Sequence, residues 1–121
     1  MKLLGIDYGR RKIGLAVSNG KLAEPYQVIR YKDTEKMIAH IQRIIEKQKI
    51  EKIIVGISEG EMGEESKKFA KIFKADTFDE TLSSHDAQQM SIQSHMSRKK
   101  RKEMEDAFAA SIMLQSYIDH V

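Results

Sequence analysis

The hydrophobic period of the chain changes twice between residues 2 and 58, and the order of those changes constrains the fold more than any other feature. The first element, KLLGID (Lys2 to Asp7), is short, apolar and stopped by Tyr8-Gly9, the pattern of a buried strand. KIGLAVS follows a hairpin-sized link, YGRR, with Ile13, Leu15 and Val17 on one face. YQVIRY (Tyr26 to Tyr31), after the only proline, Pro25, reads as a third strand and completes an antiparallel meander. The period then lengthens. In DTEKMIAHIQRIIEKQK, Met37, Ile38, Ile41, Ile44 and Ile45 recur at helical spacing, and either Asp33 or Thr34 can accept an orphan N–H at the start. It shortens again at KIIVGIS (Lys52 to Ser58), a continuous apolar run that a crossover from a helix makes a buried parallel strand.

The remaining chain continues the alternation. ESKKFAKIFK reads as a short helix, DTFDE as a brief last strand ending in Asp79-Glu80, and SSHDAQQMSIQSH as helical. In EMEDAFAASIMLQSYIDHV, Ala107, Ala110, Leu114, Tyr117, Ile118 and Val121 share one helical face, and its alanines let a helix lie close to a sheet. The expected fold class is α/β: a mixed sheet of five strands, three antiparallel and then parallel ones, with the first strand central and helices flanking it. With 121 residues, one Pro and no linker or repeat, residues 1–121 are expected to form one domain around one core. No apolar run reaches membrane-spanning length, so no membrane partner is expected, and the N-terminus meets an Asp too early for a signal peptide. The absence of Cys excludes disulfides and thiolate metal sites and suits a cytoplasmic setting.

Charge is distributed unevenly. The net charge is only +3, but RRK (Arg10 to Lys12) and RKKRK (Arg98 to Lys102) are dense basic runs able to hold a phosphate backbone, and SEGEMGEES is acidic. Three acids lie where chemistry is expected. Asp7 closes the first strand, Glu80 the last, and Asp106 falls in the first turns of the final helix. Parallel neighbours of a central strand end on one sheet edge, where such sheets usually hold ligands. Singly, each acid has an ordinary explanation: a turn former, an exposed loop acid, a charge favoured by a helix dipole. Together they would repel one another unless a hard divalent cation, Mg²⁺ or Mn²⁺, neutralised them. Two such ions can hold a phosphodiester and activate an attacking water.

These residues resemble the YqgF-type proteins, a Holliday-junction-resolvase-like family of the RNase H-like superfamily assigned to pre-16S ribosomal RNA cleavage. The resemblance rests on GIDYGRRKIGLAVS (Gly5 to Ser18), KIIVGIS, DETLSS (Asp79 to Ser84) and DAFAASIMLQ (Asp106 to Gln115), in that order. It implies an RNase H-like sheet and a metal-dependent nuclease centre at Asp7, Glu80 and Asp106, acting as catalytic residues and metal ligands. Two stretches depart from the family pattern. ISEGEMG replaces a loop that usually reads like LPLNMDG, and Thr81 stands where an Arg could clamp a phosphate.

The expected function is therefore a Mg²⁺- or Mn²⁺-dependent endonuclease acting on structured RNA or branched DNA, by processing the 5′ end of pre-16S ribosomal RNA or by resolving Holliday junctions. Arg10, Arg11, Lys12, Arg98, Lys99, Lys100 and Arg101 would contact backbone phosphates. A homodimer is in keeping with junction cleavage, though no residue pattern marks its interface. The alternative is a nucleic-acid-binding module of the same fold with weak or no catalysis, motivated by the two departures. An actin-like or sugar-kinase ATPase also carries an Asp-x-Gly turn after its first strand, but needs two such domains. His85, after the third motif, could shuttle a proton but reads better as a surface residue, and Tyr8 could either stack a base or pack on the sheet.

Overall fold

The computed structural model describes residues 1–58, 60–79 and 97–120. In chain order they form β1 (Leu3–Asp7), β2 (Lys12–Ser18), β3 (Ala23–Arg30), α1 (Thr34–Lys47), β4 (Lys52–Ile57), α2 (Glu61–Ile72), β5 (Asp76–Asp79), α3 (Arg98–Glu103) and α4 (Glu105–His120). The strands make one five-stranded sheet in the order β3-β2-β1-β4-β5. β1 is central, antiparallel to β2 and parallel to β4, and β4 is in turn parallel to β5. Since β2 is antiparallel to both β1 and β3, the carboxyl ends of β1, β3, β4 and β5 share one edge of the sheet, and β2 begins there. This is the mixed sheet expected from the changes of period.

Side-chain alternation along the strands assigns each face its partners. Leu4 and Ile6 of β1, Ile13 and Leu15 of β2, Ile29 of β3 and Val55 of β4 pack with Met37, Ile41 and Ile44 of α1 and Phe69 and Ala70 of α2. The opposite face carries Leu3, Ala16 and Ile54, packed with Ala110, Met113 and Leu114 of α4. α4 approaches so closely that two glycines are required beneath it. A Cβ on Gly5 would lie 2.9 Å from the Leu114 Cβ, and one on Gly14 would overlap the Asp106 carbonyl. Gln115 ties the far end of α4 to the sheet: its Oε1 accepts from the Ala23 N–H at 2.9 Å and its Nε2 donates to the Lys21 carbonyl at 3.1 Å.

Three boundaries differ from the sequence reading. β3 begins at Ala23, with Pro25 inside it, because β3 is an edge strand and a bulge falls there: Leu15 pairs Gln27 while Ala16 pairs Pro25. An edge position and a bulge are where a strand tolerates a residue without an N–H. α2 begins at Glu61, earlier than the apolar spacing suggested, with acidic Glu61 and Glu64 in a first turn where the helix dipole favours them. The last helix begins at Glu105 rather than at Glu103, because Glu103 closes a separate short helix, α3, that carries the RKKRK run, and Met104 separates α3 from α4. At the start of α1, Asp33 rather than Thr34 is the cap, its Oδ1 accepting from Glu35 N at 2.9 Å and Lys36 N at 3.3 Å. SSHDAQQMSIQSH, read as helical, and Glu80 lie outside the described residues.

Candidate active site at the strand ends

Asp7 is the last residue of β1 and, by alternation with Leu3 and Gly5, belongs to the α4 face of the sheet. Its cross-strand partner on β2 is Gly14. Gly14 is also where the first turn of α4 touches the sheet, against the Asp106 backbone. One residue without a side chain thus has Asp7 on one side and Asp106 above it. Opposed residues of antiparallel strands have Cα atoms about 4.5–5.5 Å apart. The glycine lets the helix descend until the Asp106 backbone rests on the cross-strand partner of Asp7.

A cation already occupies this corner. Lys12, two residues before Gly14 and on the same face of β2, places its Nζ 3.1 Å from Asp106 Oδ2. Both side chains are part-buried, so the pair is sheltered more than a surface ion pair. Among the described residues no group of three carboxylate or imidazole side chains forms a metal cluster. Asp7 and Asp106 are the two predicted ligands that can be placed; β5, which leads to Glu80, ends on the same sheet edge as β1. Carboxylate oxygens are the hard ligands that Mg²⁺ or Mn²⁺ takes, and the Lys12 ammonium would compete with such an ion for Asp106.

The loop between Asp7 and Lys12 is held from two sides. The Tyr31 hydroxyl donates to the Gly9 carbonyl at 2.6 Å, and the Tyr31 N–H donates to the Arg11 carbonyl at 3.0 Å. Burial first, then the neighbouring Tyr8, pushes the Tyr31 hydroxyl up to about 12, so it remains a donor through the ordinary pH range. On the other side Arg10 reaches α2: its Nε donates to Glu65 Oε2 at 2.9 Å and its Nη2 lies 2.8 Å from the same oxygen. That carboxylate raises the Arg10 pKa further.

A family model described as RuvX, Holliday junction resolvase, matches residues 1–120. The chain belongs to the RuvX family. A relative from Halothermothrix orenii, named "Putative pre-16S rRNA nuclease", is 37% identical, with 99% of this chain and 96% of the relative covered. A relative of the same name from Oceanobacillus iheyensis is 35% identical, covering 98% of each. Among solved structures, Thermus thermophilus RuvC in complex with a Holliday junction substrate aligns with a TM-score of 0.61 at 12% identity, covering 99% of this chain and 96% of that one. The fowlpox virus Holliday junction resolvase aligns with a TM-score of 0.66 at 13% identity over the full length of both. At such identities the structural likeness concerns the fold, and it makes the RuvX-family sheet RNase H-like.

The sequence-predicted phosphate contacts fall into separate groups. Arg10 is paired with α2 and Lys12 with Asp106, while Arg11 is exposed between them. Lys99 and Lys100 are exposed on α3, whose cap is Ser97, with Oγ accepting from Lys100 N at 3.2 Å. Arg98 and Arg101 belong to the same helix. Tyr8, just past β1 and half-buried, packs on Phe69, ring centroids 4.8 Å apart, at the border of the core beneath α2. His85 lies outside the described residues. Sequence reasoning assigned Lys12 to phosphate and missed its pairing with Asp106. The signal was present: Lys12 and Gly14 are two apart on a strand, hence on one face.

Proposed function

We propose that this chain is a Mg²⁺- or Mn²⁺-dependent endonuclease that hydrolyses phosphodiester bonds in structured nucleic acid, with pre-16S ribosomal RNA as first substrate. The observation that carries the reading is Gly14, which pairs with Asp7 across the strands and supports the Asp106 backbone, with the Lys12 ammonium on the Asp106 carboxylate. The relatives' names and the family description support the same reaction class. Asp7, Asp106 and Glu80 would hold the metal. When bound, such ions activate water and neutralise charge developing on phosphate oxygens.

The chain's own residues account for the rest. Asp7 stands on the central strand, so its carboxylate is held by the most constrained backbone of the sheet. Gly9 leaves no side chain on the turn that follows, and the Tyr31 hydroxyl fixes its carbonyl, so a phosphate can approach a turn of set shape. Lys12 balances Asp106 before substrate arrives and remains beside the phosphate's negative charge afterwards. Arg11, Lys99 and Lys100, exposed to solvent, add affinity for the backbone without reading sequence.

The test is a cleavage assay on pre-16S ribosomal RNA fragments and on four-way DNA junctions, with Mg²⁺, Mn²⁺ or chelator, using wild type and Asp7→Asn. Metal-dependent cleavage of the RNA, reduced about 100-fold or more in Asp7→Asn, is expected; one preorganised electrostatic group is commonly worth that much. Undiminished cleavage by Asp7→Asn would reject the assignment. On the junction two copies would act as a symmetric pair, so sedimentation with the junction accompanies that arm. A chain without Cys suits the reducing cytoplasm where this reading places it.

A further inference from the structure

Most cations near the predicted centre are already partnered. Arg10 is taken by Glu65 and Lys12 by Asp106. The corner between β3 and α1 is different. There Arg30, Lys32, Lys36 and His40 line an open groove of about 290 Å³, with Ile29, Tyr31 and Met37 forming its apolar floor and Asp33 its one acid. None of Arg30, Lys32 and Lys36 forms an ion pair with a described residue, and all three are exposed. The Asp33 carboxylate is committed to the backbone at the start of α1. Lys32 and Lys36 therefore border a concavity whose one carboxylate is already in use, with Arg30 at its rim.

The groove lies on the α1 face of the sheet and meets the α4 face, to which Asp7 and Lys12 belong, only at Arg30, which alternation with Ile29 puts on the Lys12 side of β3. Arg30 is the register partner of Lys12, directly across the β2–β3 pair, so their Cβ atoms are about 5 Å apart. It lies at the carboxyl end of β3, on the sheet edge where Asp7 ends β1. β3 is two strands from β1, a separation of roughly 10 Å. Along a nucleic-acid strand that is the distance of a few nucleotides, at about 3.4 Å of helix axis each.

We propose that the β3–α1 groove is a second phosphodiester subsite, in which Arg30, Lys32 and Lys36 grip the substrate strand a few nucleotides from the scissile bond. The inference rests on the nuclease reading only for its distance from that bond; binding of the backbone stands separately. Charge and an open shape favour a phosphodiester chain over a small anion, and Arg30 supplies a fork that can hold a phosphate bidentately.

The experiment measures binding of a structured RNA hairpin and of a four-way DNA junction to full-length Asp7→Asn protein by fluorescence anisotropy over a salt series. Lys32→Ala/Lys36→Ala is compared with Lys32→Arg/Lys36→Arg and with Lys47→Ala/Lys71→Ala, which removes equal charge from the last turns of α1 and α2. The groove variant should weaken Kd about tenfold and lower the salt slope by about 1.5–2, the release expected from two lost phosphate contacts. The arginine variant should restore both, and the distal variant should change neither. A loss with RNA alone, or with the junction alone, assigns the subsite to that substrate. Equal Kd and slope in the groove and distal variants would overturn the subsite, as would no binding of either nucleic acid. Binding through the groove without metal-dependent cleavage by wild type would instead reject the nuclease reading and leave the subsite standing.

Discussion

The two faces of the sheet are built on opposite economies of side chain. Beneath α1 and α2 the strands present Leu4, Ile6, Ile13, Leu15, Ile29 and Val55, and the helices answer with Met37, Ile41, Ile44 and Phe69. Beneath α4 the same strands present Gly5, Gly14 and Ala16 against Ala107, Ala110 and Leu114. The first face gains stability from volume, since each fully buried large side chain is worth about 1.5–3 kcal/mol. The second gains proximity from small residues, and proximity sets the Asp106 backbone against Gly14, the cross-strand partner of Asp7. Stability and site geometry are thus drawn from different sides of the same strands.

The sharpest way to break that division is to put volume where the structure has none. Gly14→Val should cost about 3 kcal/mol or more, because the clash is with the Asp106 backbone and not with a side chain that can rotate away. It should also abolish metal binding in whatever protein remains folded. Denaturant unfolding with a Mn²⁺ titration checks both, and a stable Gly14→Val protein with wild-type metal affinity would dissolve the distinction. Ile41→Ala, on the other face and fully buried, should cost about 2–5 kcal/mol while leaving metal affinity unchanged below its new midpoint.

Smaller effects sharpen the comparison at its border. Lys12→Met should raise Mn²⁺ affinity roughly two- to fivefold, since the ammonium it removes competes for Asp106 and a part-exposed pair is worth about 0.5–1 kcal/mol. Calorimetry would read this directly, and weakened affinity would mean that Lys12 supports the site in another way. Tyr31→Phe removes the donor to the Gly9 carbonyl and should cost about 1 kcal/mol. Because the folded-state pKa of Tyr31 is raised to about 12, the neutral form is the one the fold favours. Its contribution is complete below the unfolded value near 10 and is lost as pH rises from about 10 to about 12. Alkaline unfolding of wild type should steepen in that window, and the Phe variant should be flatter there.

Much of this was legible in the residues. The meander, the crossover and the central first strand follow from hydrophobic period, because one buried face per strand imposes alternation and one buried stripe per helix imposes a period of 3.6. The Pro25 bulge was hidden because a proline reads locally as a boundary, and only the sheet order reveals that β3 is an edge. Asp7 and Asp106 were recognisable as candidates from their places at element ends. The glycine that joins them was not, since Gly14 inside an apolar strand gives no sign that a helix backbone rests on it. The β3–α1 groove was invisible for a related reason. Arg30, Lys32 and Lys36 are scattered singly along the sequence and become a cluster only where α1 turns back on β3.

The central claim is that Asp7 and Asp106 hold a divalent ion together. The most direct measurement is a Mn²⁺ titration of labelled protein followed by NMR, with Asp7→Asn and Asp106→Asn run alongside. Saturable broadening of amides near Asp7, Gly14 and Asp106 together, weakened by either substitution, is the predicted result. Broadening at only one of the two carboxylates, or a pattern that neither substitution alters, would contradict the account.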